Sequence, residues 1–345
     1  MSAVQKPSSH MAAEIQQTPG IVRRQEQALA RPLEDLARRL QHSPPHVVVT
    51  CARGSSAHAA AFAKHAIERH LGIPVAAAAP SIATVYHRDL KLNGQLLLAI
   101  SQSGRSDDLI EQTKSARGAG ALTVALVNAT DSPLAHESDI VLPMGAGPEH
   151  SVAATKSFVA TLCAVLRLTA AWAENSELQR ALSRLPERLT AATGLDWSAS
   201  FGAFAHAPSL ITIGRGPTLS IAREAALKLK EVCNLHAEGF SGAEFLHGPV
   251  ALVAANYPIL MFMPGDAAAD ALIALEADLR RKHAAIFSVQ PGAGEGRLPA
   301  LPADHPETDA VCLIQSFYAA AVRLAKLRGI DADRPRHLQK VTRTR

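Results

Sequence analysis

The sequence predicts an α/β fold of two consecutive domains, each a parallel sheet flanked by helices. Three observations predict it. Short runs of β-branched and aliphatic residues alternate with helix-length amphipathic stretches, the pattern of strands buried on both faces and joined by crossover helices. The 345 residues, 48% hydrophobic and 19% charged, suffice for two domains with real cores and exclude a disordered chain. The third observation is an echo: VVVT, CARGSS and a helix in the first half, then LITI, GRGPTLS and a helix in the second, read as two copies of one module.

Residues 1–20 are expected to be a flexible segment, with order beginning near Glu14 or Ile21. An amphipathic helix then runs to Leu40, its apolar positions Ala28, Leu33, Leu36, Ala37 and Leu40 recurring at helical spacing until Ser43-Pro44-Pro45 stops it. The first domain, 21–180, opens its sheet at His46 to Thr50. A turn, Ala52-Arg53-Gly54-Ser55-Ser56, leads into a helix from Ala57 to Leu71. Strand, Gly/Ser turn and helix is the arrangement that binds an anion at a helix N-terminus, although a glycine turn for packing alone has the same appearance. Strands follow at Val75 to Ala79 and Gln95 to Ile100. The second of these ends in Ser101-Gln102-Ser103-Gly104-Arg105-Ser106, after which Asp107-Asp108 opens a helix. An ordinary helix cap explains one serine of that run; the whole of SQSGRS at the end of a buried strand predicts a phosphate cradle. Leu122 to Asn128 and Asp139 to Pro143 complete the strands, and Glu149 to Phe158 enters a long apolar helix ending near Glu174.

A charged helical connector, 181–200, is expected to break at Pro186 and Gly194. The second domain, 201–330, restarts the pattern with a strand at Ser209 to Ile213, the Gly214-Arg215-Gly216 turn and a helix from Ile221 to Cys233. Later strands are Ile259 to Met263, Ala285 to Val289 and a short one before Pro299; a helix from Ala310 to Leu327 is closed by Gly329. Residues 331–345 form a polar, basic tail.

The helix over Ile221 to Cys233 carries Glu224, Lys228 and Glu231 at i, i+4 and i+7, so two carboxylates and an ammonium share a face. That face suits proton chemistry, and by spacing alone it equally suits a solvated, salt-bridged surface. Gly239, Gly242 and His247-Gly248-Pro249 follow in what reads as an irregular segment, where a histidine is easily poised near neutral pH. Net charge is +4 with no dense basic block, which gives nucleic-acid binding no support. Cys51, Cys163, Cys233 and Cys312 are far apart, without metal-ligand spacing, and read as reduced, buried thiols. No apolar leader and no apolar run of roughly 20 residues is seen, so a cytoplasmic protein without membrane partners is expected.

ALKLKE, HAE and AEFLHGP together make the chain similar to the double sugar-isomerase (SIS) family, which includes the isomerase half of glucosamine-6-phosphate synthase. RGSSAHAAAFAK, AAAAPSIATVY, SQSGRSDDL and KLKEVCNLHAE resemble more closely its stand-alone type II glucosamine-6-phosphate deaminases. The resemblance implies two flavodoxin-like domains. It implies substrate contacts at Gly54, Ser55, Ser101, Gln102, Ser103, Ser106, Val152 and Ala154, with Thr155-Lys156 in the same loop. Lys228, Glu231, His247 and Lys340 stand where the family keeps its catalytic groups, the tail closing the site. No metal and no cofactor is implied. The implied partner is a phosphorylated amino sugar, glucosamine 6-phosphate or fructose 6-phosphate, held by a homodimer with a shared active site. The chain has no glutaminase domain led by a nucleophilic cysteine, so glutamine is not expected as its source of ammonia, and Ala154 replaces a hydroxyl residue of the synthase. The expected activity is glucosamine-6-phosphate deaminase/isomerase. Another phosphosugar aldose-ketose isomerase, a deglycase or a synthase-like aminotransferase is the alternative, and a non-catalytic sugar-phosphate sensor is the second.

Overall fold

The computed structural model describes residues 9–340, and these fall into two compact units. The first-sheet unit comprises Gly20–Gly147, Ser157–Ser183 and residues 339–340. It takes most of helix α1 (His10–His42), then β1 (Val48–Ala52), α2 (Gly54–Leu71), β2 (Val75–Ala77), α3 (Ser81–Thr84), β3 (Leu96–Ser101), α4 (Asp107–Gly118), β4 (Leu122–Val127), α5 (Pro133–His136), β5 (Ile140–Pro143), α6 (Lys156–Trp172) and the start of α7 (Ser176–Thr193). The sheet is five-stranded and parallel in the order β2-β1-β3-β4-β5. Its centre, β3, is buried at every one of its six residues, as a run of Leu, Ala and Ile covered on both faces must be. The chain leaves β1 toward one edge and β3 toward the other. The crevice outside the C-terminal ends of those two strands is therefore the topological switch point, where open α/β sheets take ligands. On α1 the buried stripe is Leu29, Leu33, Leu36, Ala37 and Leu40; Leu29, not the exposed Ala28, continues the face.

The second-sheet unit comprises residues 9–19, Pro148–Lys156 and Arg184–Leu338. It holds the rest of α7, α8 (Phe201–Ala205), β6 (Ser209–Gly214), α9 (Thr218–Cys233), β7 (His236–Ser241), α10 (Gly242–Phe245), β8 (Pro258–Phe262), α11 (Ala269–Arg281), β9 (Ala285–Val289), β10 (Arg297–Leu298) and α12 (Pro306–Leu327). Its sheet, β10-β9-β8-β6-β7, is again five-stranded and parallel. Ile211, Ile213, Ile259, Met261, Leu272, Leu279 and Phe245 pack one face of it. Helix α12 is long and apolar enough to cross a membrane by composition, but 72% of that stretch is buried within the protein, as a core helix is.

The structure differs from the sequence reading in four places. Part of the 1–20 segment expected to be flexible is helix: α1 starts at His10, where the Asp333 carboxylate accepts the His10 and Met11 amides at 2.7 and 2.8 Å. Two orphan N–H groups of the first turn are satisfied by a residue far along the chain. Pro186 does not break the connector, because α7 runs on through it to Thr193. His247 and Gly248 do lie in a turn, but the segment read as irregular after α9 opens with a strand, β7, paired with β6 over six residues from Ser209 opposite His236. Its glycine and charged residues hide the strand pattern, and Gly239 is there for spacing: a Cβ on it would stand 2.7 Å from the Cα of Arg223 in α9. Helix α11 was not foreseen from the sequence.

The echo of the two modules is only partial in structure. Below β6, Thr218 Oγ1 donates to the Phe262 carbonyl at 2.7 Å and accepts the Arg215 amide at 3.0 Å. That hydroxyl occupies the turn that, in the first module, is left open.

Candidate active site

In the first-sheet unit the turn after β1 and the turn after β3 line one cavity of about 310 Å³ with Arg53, Gly54, Ser56, Ser101, Gln102, Ser103, Ser106 and Lys340. Two positive-φ glycines shape it. Gly54 (φ +54°) turns the chain into α2. Gly104 (φ +62°) has no room for a side chain, since a Cβ would meet Ser132 Oγ at 2.0 Å. Ser101 Oγ accepts the Gly104 amide at 3.0 Å and so fixes the loop. The N-termini of α2 and α4 open on these turns, and the positive ends of their dipoles point there. Hydroxyl and amide donors, two helix N-termini and the cationic side chains of Arg53 and Lys340 thus meet at this cavity. Cys51 below it is no nucleophile at neutral pH, because burial first, and the Asp108 charge next, push its thiol up to about 12.

In the second-sheet unit α9 turns Glu224, Lys228 and Glu231 inward. Lys228 is fully buried, its Nζ 3.2 Å from Glu224 Oε1 and 2.5 Å from Glu231 Oε2. Burial by itself would push the ammonium down, but the two carboxylates outweigh it and hold Lys228 above its usual value. Tyr318 of α12, also fully buried, donates its hydroxyl to Glu224 Oε1 at 3.1 Å. Burial, then the Glu224 charge, keeps that phenol well above its ordinary value, so it stays protonated and can donate to Glu224. Of the three α9 side chains only Glu231 reaches solvent: its side chain is 20% exposed against 0% for Glu224 and 1% for Lys228.

The same unit holds the 148–156 segment in place through α1. The Glu14 carboxylate accepts the His150 amide and the Ser151 hydroxyl, and Glu149 accepts the Thr155 amide at 3.0 Å. Lys156, 2% exposed, donates to Gln17 Oε1 at 2.8 Å and to the Pro148 carbonyl. Val152 and Ala154 sit half-buried in this braced segment.

Of the residues singled out in the sequence, Gly54, Ser101, Gln102, Ser103, Ser106 and Lys340 share the cavity; Ser55 lies in the first turn of α2 beside it. Lys228 and Glu231 form a bonded pair. His247 stands exposed just beyond α10. Residues 341–345 of the expected closing tail lie outside the described residues. Sequence reasoning missed Arg53, Ser56, Asp108, Glu149 and Tyr318. The phenol's one signal was a polar-tipped aromatic in an otherwise apolar helix. No cluster of three or more His, Cys, Asp or Glu suited to a metal occurs among the described residues.

Two parallel five-stranded modules, the first with a cavity lined by hydroxyls, amides and two cationic side chains at its switch point, define an α/β protein of two like domains. The chain belongs to the SIS domain family, whose sequence pattern matches residues 43–171 and 203–290. It is 32% identical to the glutamine–fructose-6-phosphate aminotransferase [isomerizing] of Zymomonas mobilis over 96% of its own length, and spans 58% of that relative. A solved structure from Silicibacter pomeroyi DSS-3, named a "putative phosphosugar isomerase", superimposes with a TM-score of 0.90 at 44% identity, covering 94% of this chain and 100% of that one. The C-terminal domain of glucosamine-fructose-6-phosphate aminotransferase from Francisella tularensis gives a TM-score of 0.86 at 26% identity, covering 97% of this chain and 100% of that one.

Proposed function

We propose that the protein is a phosphosugar isomerase of the deaminating kind, converting glucosamine 6-phosphate and water to fructose 6-phosphate and ammonia. The observation that carries the reading is the Lys228–Glu231 pair: a buried ammonium holds, at 2.5 Å, the one carboxylate of its trio that solvent can reach. A base for proton abstraction next to a carbonyl needs such a carboxylate, within reach of the substrate and aimed by its neighbour. The cavity of the first-sheet unit supports a phosphate anchor, whose binding energy positions the reacting carbons.

In this reading His247 moves the proton from O1 to O5 as the pyranose opens. Glu231 then takes the C2 proton and returns it to C1, and Lys228 stabilises the negative charge that develops between. The product is an imine at C2. Water adds to it and ammonia leaves, which gives the ketose. Val152 and Ala154 would contact the sugar from the segment braced by Glu14. Lys340 would act at the cavity that it lines. His247 stands exposed between the exposed Leu246 and Leu252, which supports a homodimer in which a second copy receives this loop. Size-exclusion chromatography with light scattering tests that assembly, and a monomer at working concentration rejects it.

The decisive assay follows ammonia and fructose 6-phosphate released from glucosamine 6-phosphate by the wild type and by Glu231→Gln. Equimolar products from the wild type are expected. The variant should be slower by about 10²–10⁴-fold with affinity for the sugar phosphate held within a few-fold. Interconversion of glucose and fructose 6-phosphates without ammonia would replace the deaminase by a plain isomerase, and loss of binding in the variant would make the α9 face structural.

A further inference from the structure

The cavity of the first-sheet unit contains one feature that the reading above does not use. Arg53, the residue before Gly54, has an extended backbone (φ −133°, ψ 157°), and its guanidinium pairs with Asp108 in the first turn of α4. Nε donates to Asp108 Oδ2 at 2.8 Å and Nη2 lies 2.7 Å from the same oxygen. The two ends of the pair differ: the Asp108 side chain is 3% exposed, that of Arg53 51%. Asp108 Oδ1 has no hydrogen-bond partner among the described residues, so the guanidinium is what offsets the burial of this carboxylate. The arginine is thus anchored at one edge of its fork, and the remaining N–H donors are left at the cavity that the residue lines.

We propose that Arg53 determines the charge specificity of this cavity, selecting a doubly charged phosphate ester over a singly charged ester of the same shape, and that Asp108 is its positioning residue. The proposal rests on the phosphate-cradle reading of the cavity. Ser56, Ser101, Gln102, Ser103 and Ser106 offer neutral donors, which hold any tetrahedral oxyanion. A phosphate ester carries about −1.5 to −2 charges at neutral pH. A guanidinium fixed at the rim rewards that second charge with a charge-assisted, directional contact. A loose arginine would lose rotamer freedom each time it did so, and the buried carboxylate removes that cost beforehand.

The test is calorimetric binding of glucose 6-phosphate and glucose 6-sulfate to the full chain. Wild type should prefer the phosphate by about tenfold or more. Arg53→Gln, which leaves Asp108 charged and unpaired, is the direct variant. Arg53→Gln combined with Asp108→Asn keeps a neutral hydrogen-bonded pair and the same local net charge, so it guards against misfolding and against a mere change of field. In both variants phosphate affinity should fall by about 10- to 100-fold while sulfate affinity stays within about threefold. Arg53→Lys should recover part of the preference. An unchanged phosphate-to-sulfate ratio in the double variant, equal binding of both esters by wild type, or binding of neither overturns the proposal. A preserved preference in a protein that releases no ammonia from glucosamine 6-phosphate leaves this assignment standing and removes the deaminase reading instead.

Discussion

Lys228 is the residue on which the polar interior beneath β6 depends. Its ammonium lies 3.2 Å from the fully buried Glu224, and it tethers Glu231 at the solvent edge. Removing one member of a buried ion pair leaves an uncompensated charge, which costs about 3–5 kcal/mol. Lys228→Met should therefore lower the unfolding free energy by that amount in urea titrations, and Lys228→Met with Glu224→Gln should recover most of it. A single variant as stable as wild type would mean that Glu224 is already neutral in the folded protein. The spacing of the three residues was legible in the sequence because helix periodicity places i, i+4 and i+7 on one face. Their burial was not, since the same face serves on solvated helices. Tyr318 left only the faint signal of a polar-tipped aromatic, since it reaches Glu224 from 94 residues away.

Helix α9 and strand β7 form the element pair that sets the height of this cluster above the sheet. Strand periodicity identified β1, β3, β4, β6, β8 and β9 from their apolar runs, to within a few residues. Strand β7 escaped because it is an edge strand of the sequence HAEGFS, and its glycine reads as loop. The close packing of α9 on β7 explains that glycine. A Cβ at position 239 would press on the backbone of Arg223, which cannot swing aside as a side-chain tip would. Gly239→Ala is expected to cost about 1–3 kcal/mol through this overpacking and to lower turnover by displacing Glu231. Thermal melts and steady-state rates check both; an alanine tolerated within about 0.5 kcal/mol would show that the helix floats over the strand.

Across the whole molecule, three buried thiols make alkaline stability a readout of both cores. Burial pushes Cys51, Cys163 and Cys233 from 9.0 up to about 12. The sign follows from which state holds the proton. Above pH 9.0 the unfolded chain loses these protons while the folded chain keeps them to about pH 12, so stability is complete below the lower value and declines as pH rises between the two. Urea midpoints should drop between about pH 8 and about pH 10, with a smaller drop once all three cysteines are alanine; a flat profile for the wild type would contradict it. What the sequence determined by itself is what short-range periodicity and composition encode: two parallel modules, Gly/Ser turns at strand ends, and a helix with acid and base on one face. Tertiary structure alone decided which charges are buried and paired. Arg53 meets Asp108 across 55 residues, Glu14 grips Ser151 across 137, and Asp333 caps a helix 323 residues upstream. Such pairings depend on desolvation and on angstrom-level geometry, and neither exists until the chain has folded.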